Sequence, residues 1–360
     1  MTRLAAARQC GYVQKMLSWF SNDRFPLYLA PMAGVTDVIF RRLCKEQGAD
    51  VMMTEFVSAE GILQRDDRTR HYVDFDDEQR PLGVQLFGSD GVRMGEAARK
   101  IIDWKQPDFI DINFGCPVNK VVSKNGGSSL LKDCPLLASV AREVAKAVSI
   151  PVTAKMRIGW DANHVNAVEV ARILEDCGMQ AIAVHGRTRA QGYTGLADWD
   201  VIGQVADAVK IPVIGNGDIS SGQDVEIRRA QTNVKGVMIG RAAMANPWIF
   251  KEAKHYLATG QHAAHASVED RFNFMRRHVQ MAIERNAKMP EMVTIRSMRN
   301  RLMNYTKSIP GGKWLRQRFS QVGSVMELED IFAGYIDFKA SHVYEHGEAD
   351  ADVETEAAVG

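Results

Sequence analysis

Between residues 111 and 133 the chain reads DINFGCPVNKVVSKNGGSSLLKD. A strand-forming run ends at Asn113, a thiol follows at Cys116 between Gly115 and Pro117, and Gly126-Gly127 precede a helix start. A structural cysteine is usually a small buried hydrophobe inside a helix or strand, and Cys44 and Cys177 read that way on their helix faces. Cys116 sits on a loop instead, where a thiol can meet a substrate. Cys134, beside the next helix, carries no such signal. The glycine pair would let the loop move, and Ser128 or Ser129 is expected to cap the following helix.

Other reactive types stand at the ends of apolar runs. Lys155 lies inside VTAKMRI, a stretch that otherwise favours burial, with Arg157 two residues on. An unpaired buried ammonium is costly, so Lys155 needs an anion, either an internal carboxylate or a bound group. His185 and Arg187 close AIAVHGR; taken alone, His185 reads as a satisfied core histidine. GNGD (Asn216, Gly217, Asp218) and IGRA (Gly240, Arg241) put glycines where backbone N–H groups can approach a phosphate, with an arginine as counter-charge. Either motif alone also fits turn glycines and a surface arginine. A phosphorylated flavin answers both signals, its phosphate at the glycines and Lys155 beside the N1 region of its reduced, anionic ring.

These residues need elements to hold them. Eight β-rich runs, LYLAP (27–31), VMMTE (51–55), LGVQLFG (82–88), DFIDINF (108–114), VTAKMRI (152–158), AIAVHG (181–186), PVIGNG (212–217) and KGVMIG (235–240), alternate with stretches of helical period such as PLLASVAREVAKAV and AVEVARILEDC. Parallel strands require such crossovers. The pattern predicts an α/β fold, a TIM (β/α)8 barrel, with a doubly wound sheet as the alternative because periodicity does not itself close a sheet. In a barrel the reactive residues gather at the C-terminal strand ends. Pro31-Met32-Ala33 follows the first run, and Gln85 lies near the end of the third. After Trp248 only helical signals remain, Ser267 being placed to N-cap a helix from Val268. The expected division is an N-terminal extension (1–26) that reads as one helix, a barrel (27–250), a helical domain (251–344) and an acidic, disordered tail (345–360).

With 46% hydrophobic and 25% charged residues, and no apolar run near the roughly 20 residues of a membrane span, the chain reads as soluble. The N-terminus lacks a secretory apolar region and cleavage site. Five scattered cysteines without a C-x-x-C pair indicate neither a disulfide framework nor a zinc site. The expectation is a cytoplasmic monomer without metal or membrane partner. The net charge of +1 hides an asymmetry, because Glu345, Glu348, Asp350, Asp352, Glu354 and Glu356 leave the preceding residues at +7.

LAPMAGVTD, TEFVSAEG, QLFG, DINFGCPVNKVVSKNGGSSLLKD, KMRIGW, VHGRTRAQGYTG, PVIGNGDI and MIGRAAMANPWIF together resemble the tRNA-dihydrouridine synthases, most closely the bacterial B-type subfamily, over roughly residues 27–320. The resemblance implies an FMN-containing barrel with a C-terminal helical domain that reduces D-loop uridines of tRNA to 5,6-dihydrouridine at the expense of NADPH. Position by position, it makes Pro31, Met32 and Ala33 backbone contacts to FMN and puts Gln85 and Lys155 at the ring. Asn216, Gly217, Asp218, Gly240 and Arg241 fall on the phosphate side, and His185 near flavin and substrate. Cys116 matches the general acid and Asn113 a uracil contact, with Arg157 and Arg187 on the substrate side. Hydride then passes from reduced FMN to uracil C6 and a proton from Cys116 to C5. The thiol must be protonated when it acts, and no partner in its loop lowers its pKa.

From 292 to 325 the chain carries Arg296, Arg299, Arg301, Lys307, Lys313, Arg316 and Arg318 and no acid. Unbalanced cations of this kind suit an RNA backbone, with Arg296, Arg299 and Arg316 the chosen contacts, while Tyr305, Trp314 and Phe319 read as core. His262 and His265 read as exposed, not as metal ligands. Two other readings compete: an FMN-dependent reductase of a free pyrimidine, against which the basic helices argue, and a non-catalytic tRNA-binding protein, against which Cys116, Lys155 and Arg241 argue.

Overall fold

The computed structural model describes residues 17–20, 24–64, 69–118, 122 and 126–345. The expectations for residues 1–16 and for the tail beyond 345 fall outside the described residues.

Nine parallel strands form one sheet: β1 (Leu27–Leu29), β2 (Met52–Met53), β3 (Val57–Ser58), β4 (Leu82–Phe87), β5 (Phe109–Phe114), β6 (Val152–Arg157), β7 (Ile182–His185), β8 (Val213–Asn216) and β9 (Gly236–Ile239). Their order, β1-β9-β8-β7-β6-β5-β4-β2, is that of an unrolled barrel. The seam closes between β1 and the start of β2 through a parallel bridge from Tyr28 to Val51, where Leu29 N donates to Val51 O at 3.0 Å and Asp50 N to Leu27 O at 2.8 Å. The sheet is therefore a closed TIM barrel, not a doubly wound sheet. All eight expected runs supply a strand; β3, which pairs only with β4, was not expected.

Strand alternation sorts the side chains. Ile110, Ile112, Val152, Ala154, Met156, Ile182, Val184, Val213 and Val237 face outward and pack with the surrounding helices. Inward-facing Tyr28, Val51, Met53, Phe109, Ala183, Ile214 and Met238 form a separate apolar floor. Leu17 and the turn Ser18–Phe20 join that floor: Trp19 Nε1 donates to the Tyr28 hydroxyl at 2.6 Å, and its ring lies 5.3 Å from that of Phe109. Part of the N-terminal extension thus stops one end of the barrel.

Helix starts follow local chemistry. Ser267 N-caps Val268–Arg285, as its sequence predicts, and Asp270 completes a reciprocal capping box. The helix Cys134–Ala147 departs from expectation, for its cap is Asp133, accepting from Leu136 N at 3.0 Å. Residues Gly127–Lys132 coil into a 3-10 turn first, which carries Ser128 and Ser129 away from that helix start.

The helix Ile249–Thr259 packs on Gly222–Gln231 so closely that a Cβ at Gly222 would lie 2.5 Å from Tyr256 Cβ. Beyond it, Val268–Arg285, Glu291–Tyr305, Gly312–Phe319 and Val325–Glu345 form a helical unit around Phe272, Tyr305, Phe319 and Phe332. Trp314 stacks on Phe338, so the three aromatics of the basic segment are packing residues, as read. Arginines of this unit pair with barrel acids: Arg277 with Glu46, Arg285 with Asp74 and Arg301 with Asp37. Among the described residues no helix is long and apolar enough to cross a membrane.

Candidate active site

Above the apolar floor the inward positions turn polar. Register places Gln85 beside Asp111, Asp111 beside Thr153, Asn113 beside Lys155, Arg157 beside His185, and His185 beside Asn216. The site residues of five different strands thus form one ring at the C-terminal end. Asn113 Oδ1 accepts from the backbone N–H of Gly115 at 3.0 Å and of Cys116 at 2.8 Å, which bends the chain back over its own strand. Cys116 O in turn accepts from Ser128 N at 3.2 Å and Ser128 Oγ at 2.8 Å, so Ser128 clamps the thiol loop.

The Cys116 thiol is 5% exposed, and burial raises its pKa above the ordinary thiol value despite the Val118 N–H and the charges of Arg157 and Lys155. It is protonated at neutral pH. His185 is held the other way. Burial, reinforced by Lys155, Arg157, Arg187 and Arg241, depresses its pKa, so the imidazole is neutral. Its Nε2 faces Arg187 Nη1 at 3.3 Å; since a guanidinium only donates, Nε2 accepts and the proton sits on Nδ1. Of these two groups only the thiol is set up to give up a proton.

The Lys155 ammonium makes no hydrogen bond or ion pair among the described residues. Burial and then Arg157 pull its pKa down to about 8, against the charge of Asp111. Arg157 donates to the carbonyls of Gly115 (3.1 Å), Thr188 (2.8 Å) and Gly192 (2.8 Å), and so braces the loops after β5 and β7. Arg187 donates to Thr194 O, Gly195 O and, through Nη2, to both oxygens of Asp218 at 2.8 and 2.9 Å. Asp218 also receives Ala197 N at 2.6 Å and lies 3.4 Å from Arg241 Nη2. Arg241 keeps half of its side chain in solvent, over the ring of Tyr193.

The two glycine motifs lie side by side at the ends of β8 and β9. Gly217 has φ +126°, and a Cβ there would meet Ala197 Cβ at 2.6 Å, so the turn after β8 closes only around glycine. Gly240 follows β9 and caps the short helix Arg241–Ala245, where Ala243 N donates to Gly240 O at 2.9 Å and the N–H groups of Arg241 and Ala242 precede the first bond of the helix. Asn216 Nδ2 donates to Met238 O at 2.6 Å and ties these two turns together. Across the mouth, Pro31, Met32 and Ala33 start a tight loop in which Met32 N donates to Thr36 Oγ1 at 3.0 Å. An unpaired ammonium, a half-free arginine and a glycine-bounded helix start make a donor set for a ligand with a phosphate and an anionic ring. FMN is such a ligand.

The helical-unit candidates separate. Arg296 and Arg316 are exposed, and Arg316 lines a groove of about 450 Å³ with Gly34, Arg301, Asn304 and Lys307. Arg299 is turned inward, donating to Val322 O at 2.8 Å and Gln321 O at 2.5 Å. His265 is exposed and lies 3.5 Å from Glu252 Oε1. Sequence reasoning passed over Asp111 and Thr153, and counted Arg301 only among the cations of the basic segment, whereas it pairs with Asp37 and donates to Gly34 O. The first two were available from alternation, which puts Asp111 and Thr153 on the faces of Asn113 and Lys155.

The family model described as dihydrouridine synthase matches residues 28–339. A tRNA-dihydrouridine synthase B of Pseudomonas aeruginosa is 40% identical over 296 residues, covering 82% of this chain and 88% of that protein. One from Vibrio vulnificus is 38% identical over 315 residues, 88% of this chain and 97% of that protein. One from Xanthomonas campestris pv. campestris is 47% identical over 232 residues, 64% and 70% of the two chains. Among solved structures, histamine dehydrogenase from Rhizobium sp. 4-9 overlays with TM-score 0.51 at 15% identity, covering 64% of this chain and 45% of that one, a likeness of fold alone.

Proposed function

This chain belongs to the dihydrouridine synthase family, in its B-type branch, and from that premise we propose how its own residues carry out the reduction of tRNA uridine to dihydrouridine. Enzymes of this family depend on FMN and take NADPH as reductant; bound FMN supplies the hydride that goes to uracil C6. Asn216, Gly217, Gly240 and Arg241 hold the phosphate, with Asp218 orienting Arg241. Pro31, Met32 and Ala33 border the ring, and Lys155 supplies a positive charge beside it. Gln85 acts from beneath through Asn113, to which it is hydrogen-bonded.

Cys116 is the proton donor to uracil C5. The observation that carries this reading is the hold on the thiol loop: Asn113 Oδ1 accepts from Cys116 N at 2.8 Å and Ser128 Oγ donates to Cys116 O at 2.8 Å, while burial keeps the thiol protonated. Asn113 contacts the uracil with the remaining N–H of its amide, and Arg157 and Arg187 hold the loops that wall the substrate side. The uridine must leave its stack to reach this depth, at a cost of a few kcal/mol that is smaller in a loop than in a duplex. Arg296 and Arg316, exposed on the helical unit, take RNA phosphates. The barrel (27–250) and the helical domain (251–344) thereby divide chemistry from RNA holding, and the enzyme acts in the cytoplasm on tRNA. Mapping dihydrouridine in tRNA from cells lacking this protein tests the reading: loss at a D-loop position is expected, and a full complement of dihydrouridine would overturn it.

A further inference from the structure

Asp111 faces the barrel interior one inward position below Asn113, with Gln85 of β4 on one side and Thr153 of β6 on the other. Gln85 Nε2 donates to Asp111 Oδ2 at 2.7 Å, and Thr153 Oγ1 donates to Oδ1 at 2.5 Å. An ionised carboxylate can only accept. It therefore dictates which end of the Gln85 amide faces it, and leaves Gln85 Oε1 to accept from Asn113 Nδ2 at 2.8 Å. That contact in turn dictates the Asn113 amide, whose oxygen is left for the N–H groups of Gly115 and Cys116. Reversing either amide would set donor against donor or acceptor against acceptor at both of its ends.

We propose that Asp111 is a positioning residue for the thiol loop: its carboxylate sets the polarity of a Gln85–Asn113 amide relay that holds the Gly115–Cys116 backbone over the barrel mouth. The role rests on Cys116 being the proton donor of the reaction. Packing alone does not call for an acid here, since burying a carboxylate is costly. Burial raises the Asp111 pKa to about 6, opposed by the hydrogen bonds from Gln85 and Thr153 and by the charge of Lys155, so the acceptor-only form prevails at neutral pH. The relay leaves Lys155 unengaged, and it spans four side chains with no donor facing a donor.

Hydrogen exchange at the Gly115 and Cys116 amides, together with the rate of Cys116 alkylation by iodoacetamide, tests this in the FMN-loaded protein. Asp111→Asn keeps an oxygen for Gln85 and turns its NH2 to Thr153, whose hydroxyl can accept. It should stay within about threefold of the parent in both readouts. Asp111→Leu removes the acceptor, and both rates should rise on the order of tenfold, while amides of β8 across the barrel are unchanged. Should the leucine variant fail to fold, Gln85→Leu cuts the same relay one link on and must loosen the same amides. Unchanged exchange in Asp111→Leu or Gln85→Leu overturns the relay. So does equal loosening in Asp111→Asn and Asp111→Leu, because rescue by the amide is what polarity requires. Exchange does not depend on uridine reduction, so failure here is distinct from failure of the proton-donor assignment, which Cys116→Ala decides.

Discussion

Asn113 Oδ1 stands 2.8 Å from the backbone nitrogen of Cys116, so the last inward residue of β5 sets the path of the loop that carries the thiol. One strand thereby fixes both the amide proposed to face uracil and the thiol proposed as proton donor. No separate lid is needed to bring them together, and the geometry is inherited from barrel register.

Replacing Cys116 by alanine should leave FMN content and flavin reduction by NADPH at parental levels while uridine reduction falls about a hundred- to ten-thousand-fold, the usual contribution of a general acid. Cys134→Ala should be active, since Cys134 begins the helix Cys134–Ala147 and its thiol meets Asn166 Nδ2 at 3.8 Å, not the side chains of the ring. Dihydrouridine formation under single turnover, with flavin absorbance followed in parallel, separates the two steps. Equal losses in both variants would sink the assignment.

Lys155 gives a pH signature. Its folded pKa of about 8 lies below the ordinary lysine value, so between about 8 and 10.4 the unfolded chain binds more protons than the folded one. Stability attributable to this group is therefore lowest below pH 8 and rises as pH climbs through that window. Lys155→Met should stabilise the flavin-free protein at pH 7 by up to about 3 kcal/mol, an advantage that shrinks to nothing near pH 10.4. Denaturant midpoints at several pH values measure it, and a pH-independent difference would show that Lys155 is not the titrating group. The same variant should bind FMN more weakly if, as proposed, the charge it removes lies beside the flavin ring.

The barrel was legible because its two signals are local: spacing long enough for crossover helices, and strands whose outward faces are wholly apolar. The seam was not, since Tyr28 and Val51 meet through a single bridge that no periodicity announces. The same limit applies to the cations. Arg296 and Arg299 lie one helical turn apart and look alike in sequence, yet the carbonyls that engage Arg299 come from a turn brought near only by folding. Arg301 reaches Gly34 O at 3.1 Å and pairs with Asp37, tying the helical unit to the loop after β1 across almost the whole chain. Ser128 shows the opposite case. Its expected cap was supplied by Asp133, which stands directly at the helix start, and its hydroxyl went to Cys116 instead.

At the phosphate end, Arg241→Ala should weaken FMN retention roughly ten- to hundredfold, the loss of one charge-assisted contact. The melting temperature of the flavin-free protein should hardly change, because half of that side chain is in solvent. Gly217→Ala should differ in kind, since its positive φ and the close Ala197 Cβ make the turn itself unstable. Flavin released in dilution assays, set beside thermal melts without flavin, distinguishes the two. Arg241→Ala with parental FMN affinity would remove it from the phosphate site.

The RNA face is best tested on cations whose side chains have no hydrogen-bond or ion-pair partner among the described residues. If Arg296 and Arg316 neutralise tRNA phosphates, binding releases counterions, and the logarithm of affinity falls linearly with the logarithm of salt by about 0.9 per duplex phosphate or about 0.7 per single-strand phosphate. Arg296→Glu with Arg316→Glu should lower affinity and flatten that slope, while FMN content and NADPH oxidation without tRNA stay at parental values, because both residues are exposed on the helical unit. Arg299→Glu should behave differently. It frees the carbonyls of Gln321 and Val322 and sets a carboxylate against them, so a loss of melting temperature should accompany any loss of binding. Free uridine, which lacks the flanking phosphates, should be turned over poorly and without dependence on Arg296 or Arg316. A salt slope unchanged in the double variant would place the tRNA elsewhere on the surface, and turnover of free uridine as fast as that of tRNA would favour a reductase of free pyrimidines.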